Sequence, residues 1–355
     1  MTPQLAQRYG HTTAIHSLTA DRASAEWGAC LASIQDSAAA VAEDPADDRQ
    51  SEKELTLAIE QSSDPRDLPL VRSACQLTGK GVRRTRAGDG NGARNALRQS
   101  SALVRRARAE RETPAVRLAD CYLQAAMAYY EARAKRWDQA RQRLIFVFDE
   151  ERLVLQTLPL SSIWQHRLQQ VNNWASLHVM AGEKDEARGL TANFINYLLR
   201  GGGQERLPSD GWPDDPSQCL SAAERDALIA EAAAALPSLY TPGEMQAVAS
   251  QLLSICTAPS AMATPSAGYV AAWLALTEAT SNAGLAAHIA RFVALDLPRR
   301  QLRSLWIDAV ATALAVSQDL LSEALAQRRA SAIEAVRAVP ALRHMLTRHS
   351  PSLNV

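Results

Sequence analysis

The chain has 355 residues, enough for two or three domains or for one long array of repeated units. Apolar residues make up 47% of the chain and aromatic residues only 5%, a composition that favours closely packed helices over sheets. Lys plus Arg and Asp plus Glu both number 38, so the overall charge gives no reason to expect a nucleic-acid or membrane partner.

The cysteines and the hydropathy of the chain point to a reducing compartment. The five cysteines form an odd number without a CxxC pair, which favours free and mostly buried thiols. The N-terminus has no apolar run flanked by basic residues, and no stretch approaches ~18 apolar residues. We therefore expect a cytoplasmic protein with no signal peptide, no membrane span and no membrane partner.

The N-terminal part divides into an arm and an acidic helical segment. Residues 1–20 are polar and rich in Ser and Thr, so we expect a loosely ordered arm. Residues 21–68 carry twelve acidic and four basic residues. Apolar residues at helical spacing predict a first helix around Trp27, and a short second helix is predicted through Leu55, Leu57 and Ile59.

Residues 69–200 are predicted to form three pairs of helices. Thr113 is expected to cap a helix that starts at Pro114, and Gly182 to end a later one in the left-handed conformation. The predicted pairs are about 69–87 with 93–111, 114–135 with a helix from Ala140 to Leu153, and a helix capped by Ser161 or Ser162 with a mate over 185–200.

The C-terminal part begins after a loop. Four glycines and three prolines make residues 201–220 a linker by composition. Residues 221–340 are predicted to be a subdomain of helical pairs, opened by a capping box at Ser221–Glu224, and residues 341–355 a tail. The predicted helices there are 221–236, 241–256, 268–282, 285–295, 298–317 and 319–339. No window shows sustained apolar alternation, so the predicted fold class is all-α.

A repeat connects the three pairs. Ala93, Ala140 and Ala187 stand 47 residues apart, each early in the second helix of a pair. This recurrence is typical of a stacked array of antiparallel helix pairs. Two pairs resemble the tetratricopeptide repeat (TPR), which places a large–small residue pair in its first helix and a small residue after the turn.

The matching residues are Trp174-Ala175, Gly182 and Ala187 in the third pair, and Met127-Ala128, Trp137 and Ala140 in the second. A weaker match covers 266–340, through Trp273, Ala286 and Pro298. The period departs from the usual 34 residues of the family, and Lys184 replaces its turn aromatic. The prediction is therefore a TPR-like or HEAT-like solenoid.

The resemblance implies a binding groove, because the first helices of TPR pairs line the groove of that family. Asn and Ser are poor residues for a helix interior unless their side chains are used. Amides in a groove can hold a peptide backbone, and tyrosines can pack on it. A bond from the Asn side chain to a neighbouring helix is the alternative. The predicted partner-binding residues are Tyr122, Tyr129, Arg133, Gln169, Asn172 and Ser176.

A second candidate surface is a basic stripe. Residues 80–117 carry eleven basic and three acidic residues. The arginines of one predicted helix recur at steps of three, four and seven, and so share one face. They could hold phosphates or an acidic protein, or face solvent near the acidic segment. The stripe comprises Arg83, Arg84, Arg94, Arg98, Arg105 and Arg108.

Local motifs for chemistry are missing from the sequence. No HxxxH, HExxH or GxSxG occurs, so we expect no metal, no cofactor and no lipase-type nucleophile. A Cys–His pair brought together by the fold stays open. We expect a non-catalytic scaffold or adaptor for a protein or peptide partner. The alternatives are an all-helical enzyme or enzyme-supporting subunit, and a nucleic-acid-associated regulator using the Arg-rich helices over 83–111.

Overall fold

The structure is a computed structural model that describes residues 20–42, 50–239, 265–278, 282–294, 303–317 and 323–339. Within these ranges the chain is helical and contains no strand, which confirms the all-α prediction. The predicted arm over 1–20, apart from its last residue, the predicted helix over 241–256 and the tail over 341–355 lie outside the described residues. No helix in the described part is long and apolar enough to cross a membrane.

The described α-helices number thirteen. They are α1 Ala20–Ala42, α2 Gln50–Gln61, α3 Leu68–Arg86, α4 Gly90–Glu110, α5 Pro114–Arg133, α6 Trp137–Leu155, α7 Ser161–Ala181, α8 Lys184–Arg200, α9 Ala222–Leu239, α10 Pro265–Glu278, α11 Asn282–Ala294, α12 Arg303–Val316 and α13 Glu323–Ala338. Two short 3₁₀ turns, Gln204–Arg206 and Pro216–Gln218, lie between α8 and α9. The chain divides into two compact units, residues 47–228 and residues 1–46 with 229–355.

The unit over 47–228 contains the three predicted pairs, α3 with α4, α5 with α6 and α7 with α8. The first helices also contact one another, α3 with α5 and α5 with α7. Ala93, Ala140 and Ala187, which define the 47-residue recurrence, are all buried. Small side chains at these positions let the second helix of each pair pack closely against its neighbours.

Several helix ends follow the chemistry of their capping residues. The hydroxyl of Thr113 accepts a bond from the Val116 backbone N–H at 3.3 Å, and Pro114 begins α5. Gly182 ends α7 with a φ of 87°, a left-handed conformation that costs least without a Cβ. Thr113, Pro114 and Gly182 therefore act as predicted.

The capping box at the start of α9 is also confirmed. The backbone N–H of Ser221 donates to the Glu224 carboxylate at 2.7 Å, and the Glu224 N–H donates to the Ser221 hydroxyl at 3.2 Å. The prediction for α7 was wrong in detail, because Leu160 is its N-cap and makes no side-chain capping bond. Ser161 is already inside the helix.

The segment over 201–220 packs back onto its own unit. Trp212 is buried, with its ring centroid 6.0 Å from Phe148 of α6 and 6.4 Å from Trp164 of α7. Its indole N–H donates to the carbonyls of Pro208 and Ser209 at 3.0 and 2.9 Å. The segment contains no α-helix, as its Gly- and Pro-rich composition predicts, but it also contributes the buried Trp212 side chain to the core.

In the other unit, α1 contacts α11, α12 and α13. The Ser37 hydroxyl donates to the Val293 carbonyl at 2.7 Å, and Arg328 donates to the Gly28 carbonyl at 3.2 Å. Trp27 of α1 is buried, as its place in the helical pattern predicts. These bonds connect an N-terminal helix to helices about 250 to 300 positions later.

Candidate protein-interaction surface

The six predicted groove residues lie on α5 and α7, two helices in contact with each other. Tyr122 and Asn172 are buried, with 7% and 9% of their surface exposed. The Asn172 amide nitrogen has no hydrogen-bond partner among the described residues. The other four keep accessible surface: Tyr129 and Gln169 are half-buried, and Arg133 and Ser176 are exposed.

Helix α2 covers part of the face on which these residues were predicted to lie. It contacts α3, α5 and α7, the first helices of all three pairs. Leu55 and Ile59 of α2 are 1% and 0% exposed and belong to the same hydrophobic cluster as Tyr122. Tyr122 is therefore a packing residue in this structure, and the expectation that it lines an open groove is corrected.

Three ion pairs hold the C-terminal end of α2 and the turn that follows it. The Arg72 guanidinium of α3 donates to both oxygens of Glu60 at 3.1 and 2.9 Å. Asp64 accepts from Arg111 at 2.6 Å and from Arg66 at 3.2 and 3.1 Å. Hydrogen bonds from Arg66 and then Arg111 lower the pKa of the Asp64 carboxyl. The acidic segment thus meets the basic one at Asp64 and Arg111.

The basic stripe is only partly available. Arg108 donates to Glu112 at 2.6 Å and to Asp120 at 3.0 Å, and lies 3.9 Å from Glu150. Arg84 lies 3.7 Å from Asp89. These two arginines are therefore largely matched by carboxylates within the chain.

The rest of the stripe keeps its exposure. Arg83, Arg94, Arg98 and Arg105 are all exposed. The Nε of Arg94 donates to the Tyr130 hydroxyl at 3.1 Å, and that of Arg105 to the Ser101 carbonyl at 3.3 Å. Neither bond neutralises the guanidinium charge, so this part of α4 presents positive charge to solvent.

An open cleft of about 280 Å³ lies between α5 and α6. One guanidinium N–H of Arg143 donates to the Gln124 side-chain oxygen at 2.5 Å across it. Gln124 lies two residues after Tyr122, about 200° further round α5, so the cleft and the predicted groove use different faces of that helix. The lining residues are Gln124, Gln139, Gln142, Arg143 and Phe146.

A buried polar network connects α6 and α7. Glu151 and His166 are 0% and 6% exposed, and the His166 Nδ1 lies 2.5 Å from a Glu151 oxygen. The other ring nitrogen faces the Gln170 amide nitrogen at 3.1 Å, which makes it the acceptor and Nδ1 the N–H donor to Glu151. Gln170 in turn accepts from Asn173 at 2.8 Å. The network orients α7 against α6. Glu151, His166 and Gln170 are buried, whereas Asn173 is exposed.

Arg167 is the fully buried cation of the same helix. It donates to the carbonyls of Phe148, Asp210 and Gly211 at 3.3, 2.5 and 3.2 Å. Its guanidinium lies 3.8 Å from the centroid of the Trp212 ring. Burial lowers the pKa of Arg167 to about 10, so it stays charged at neutral pH. Arg167 thereby fastens the 201–220 segment to α6 and α7.

The described cysteines are poorly suited to nucleophilic catalysis. Burial raises the pKa of the Cys30, Cys75 and Cys219 thiols to about 12, and raises that of Cys121 as well. The thiolate is the reactive form, so these groups are almost entirely protonated near neutral pH. No group of His, Cys, Asp and Glu side chains in the described ranges could hold a metal ion.

Two features were missed from the sequence alone. Leu55 and Ile59, spaced by four and flanked by helix breakers, were recognised as a short helix but not as the cover of the predicted groove. The charge reversal along the chain made a contact between the acidic and basic segments possible, with an acidic partner from outside as the alternative, but did not indicate which residues meet. Arg167 and Trp212 are 45 positions apart, and no local pattern joins them.

No family model, curated protein or solved structure matches the chain.

Proposed function

We propose that the chain is a non-catalytic, cytoplasmic helical scaffold that binds a protein or peptide partner on the face of α3, α5 and α7. In this proposal the three pairs stack as a solenoid of the TPR-like type. One observation carries it: α2, with Leu55 and Ile59 buried, contacts all three of these helices. The face therefore already accommodates an amphipathic polypeptide segment.

Accessible side chains next to the covered region support the same surface. Tyr129 and Arg133 lie about one helical turn apart on α5, and Tyr and Arg are the residue types that most often anchor protein interfaces. Gln169 and Ser176 on α7 offer donors and acceptors for a peptide backbone. The raised pKa of each described thiol weighs against the alternative of a cysteine-dependent enzyme.

Photo-crosslinking in the native host would test the proposal. A photoreactive amino acid at position 133 of the full-length chain should crosslink to a protein partner that the same amino acid at position 98 does not capture. Tyr129→Ala should then weaken binding of that partner about 30-fold, since a hot-spot truncation costs about 2 kcal/mol and each 1.4 kcal/mol is a factor of ten. Arg98→Ala is the matched control on the other surface and should change the affinity little.

The opposite pattern would contradict the proposal. If position 98 crosslinks and position 133 does not, or if Arg98→Ala abolishes binding while Tyr129→Ala does not, the first-helix face is not the binding surface. Both variants must melt like wild type for the comparison to count.

A nucleic-acid regulator remains the second candidate, because Arg83, Arg94, Arg98 and Arg105 are exposed. Phosphate contacts by arginines release counterions and make binding steeply salt-dependent. A gel shift with mixed nucleic acid that falls with salt and is lost in Arg94→Glu/Arg98→Glu would favour this candidate. Without such a shift, the exposed arginines are a solvated helix face.

A further inference from the structure

We infer that helix α2 is a replaceable occupant of the first-helix face, and that the ligand of this face is an amphipathic helix with the side-chain pattern of α2. The inference rests on the proposed function, since it names the partner class for the same surface.

The length of α2 matches the face that it covers. Its 12 residues give a helix of about 18 Å, at 1.5 Å per residue. Packed helices lie about 8–10 Å apart, so a row of three spans about 16–20 Å between the outer axes. This agrees with the contacts of α2, which reach α3, α5 and α7. One short helix is therefore long enough to cross all three.

The buried side chains of α2 define an apolar pattern. Leu55, Ala58 and Ile59 are 1%, 6% and 0% exposed, at positions i, i+3 and i+4 of one helix face. Leu55 and Ile59 belong to a cluster that draws on all three helices beneath them, including Val71 of α3, Ala119 of α5 and Ile163 of α7. Leu57 points away and is 54% exposed. A ligand for this face therefore needs apolar residues at i, i+3 and i+4.

The charges add an acidic requirement after the apolar triplet. Glu60 follows Ile59 directly and bonds Arg72 through both oxygens, at 3.1 and 2.9 Å. Asp64, in the connection after α2, accepts a hydrogen bond from Arg111 at 2.6 Å. A bidentate carboxylate–guanidinium pair adds geometric specificity. The ligand pattern is thus apolar at i, i+3 and i+4, followed by a carboxylate at i+5.

The attachment of α2 allows it to be replaced. Two large apolar side chains and the Glu60–Arg72 ion pair anchor α2, and a helix of 12 residues is marginal by itself in water. Its C-terminal end connects to α3 through the six residues 62–67, in which Asp64 and Arg66 pair with each other. A tethered segment of this kind competes intramolecularly with a free ligand, so the wild-type chain should bind a matching helix weakly.

A binding measurement on the full-length chain tests this. The probe is a fluorescent synthetic peptide with the sequence of residues 48–67, followed by fluorescence anisotropy. Leu55→Ala/Ile59→Ala weakens the tethered helix and should raise the affinity for the peptide at least about tenfold over wild type. Leu57→Ala removes an exposed leucine from the same helix and should bind like wild type. A peptide with Asp in place of Leu55 and Ile59 should not bind either chain.

Hydrogen exchange on the wild-type chain provides a second measurement that needs no variant. If α2 leaves the face by local opening, its amides should exchange at least about 100-fold faster than those of α5. Amides of α2 that exchange as slowly as those of α5 would overturn the inference. So would a Leu55→Ala/Ile59→Ala chain with wild-type helix content that fails to bind the peptide.

These outcomes separate the inference from the proposed function. In one outcome the peptide binds and the α2 amides exchange fast, but no partner is crosslinked from position 133. α2 is then replaceable and the proposed scaffold role is wrong. A crosslinked partner together with slow α2 exchange would leave the scaffold role standing and the replacement of α2 wrong.

Discussion

Substitution of the buried Arg167 side chain should destabilise the chain strongly. It is 0% exposed and bonds three backbone carbonyls while it packs on Trp212. Arg167→Ala should lower the free energy of unfolding by about 3 kcal/mol or more, because it leaves buried acceptors unpaired and opens a cavity. Urea denaturation measures the loss, and protease cleavage within 201–220 should accelerate.

The matched control for this prediction is Arg206→Ala in the segment that Arg167 holds. The Arg206 side chain is 67% exposed and lies 3.7 Å from Glu205, an arrangement worth about 0–1 kcal/mol. Arg206→Ala should therefore leave the urea midpoint almost unchanged. If Arg167→Ala behaves like Arg206→Ala, contacts other than those of Arg167, such as the buried Trp212 ring and the Tyr197–Pro213 bond, hold the 201–220 segment.

Asp64 should make the stability of the folded chain depend on pH in the acidic range. Its pKa is lowered in the folded chain by hydrogen bonds from Arg66 and Arg111, so its stabilising effect is complete above the unfolded value of about 3.9 and is lost as pH falls below it. The difference in melting temperature between wild type and Asp64→Asn should therefore be larger at pH 7 than at pH 3. A difference that stays constant would contradict the pairing.

Asp138→Asn is the control for the acid prediction. The Asp138 side chain is 90% exposed and lies 3.5 Å from Arg141, so its loss should change the melting temperature little at either pH. The comparison separates the specific contribution of Asp64 from the general effect of removing one negative charge.

At the scale of the helices, the α3–α4 contact depends on the absence of a side chain at Gly81. A Cβ at Gly81 would lie 2.6 Å from a methyl carbon of Leu97, whereas a Cβ at Gly189 of α8 would meet nothing within 4 Å. Gly81→Ala should therefore destabilise the chain by about 1–3 kcal/mol through overpacking, despite the better helix propensity of Ala. Thermal melts of the folded variants measure the change.

Gly189→Ala is the matched control and should have the opposite sign. It gains helix propensity, about 0.5–1 kcal/mol, without a steric cost. If both substitutions stabilise the chain equally, Leu97 can move aside and the packing at Gly81 is looser than the structure indicates.

The helices themselves were largely predictable, because their signals are local. Thr113, Gly182 and the Ser221–Glu224 box act within three or four residues of their own position. The prediction for Ser161 was wrong because a Ser near a helix start can stand at several positions, and only backbone geometry separates the cap from the first turn.

At the scale of the molecule, the candidate site was less predictable than the fold. The helix through Leu55 and Ile59 was expected, but its docking on α3, α5 and α7 joins residues up to about 100 positions apart. Tyr122 was placed correctly on a first helix, yet its burial depends on that distant contact. Periodicity reports which face of a helix is apolar and not what covers it.

The contacts of α2 also predict how the 47–228 unit unfolds. In a solenoid each pair contacts only its neighbours, so pairs can unfold one after another. Because α2 contacts both α3 and α7, we expect one concerted urea transition, with the same midpoint by circular dichroism and by tryptophan fluorescence. In Leu55→Ala/Ile59→Ala the two midpoints should separate. Separate midpoints in wild type would contradict the expectation.

The order of synthesis gives the position of α2 another consequence. Gln61 and Ser161 are 100 positions apart, so α2 leaves the ribosome long before α7 exists to receive it. At about 5–20 residues per second, the delay is about 5–20 s. During that interval the nascent chain holds a helix whose docking site is incomplete, with Leu55 and Ile59 available to a chaperone. The helix that covers the face is therefore translated before the face is complete.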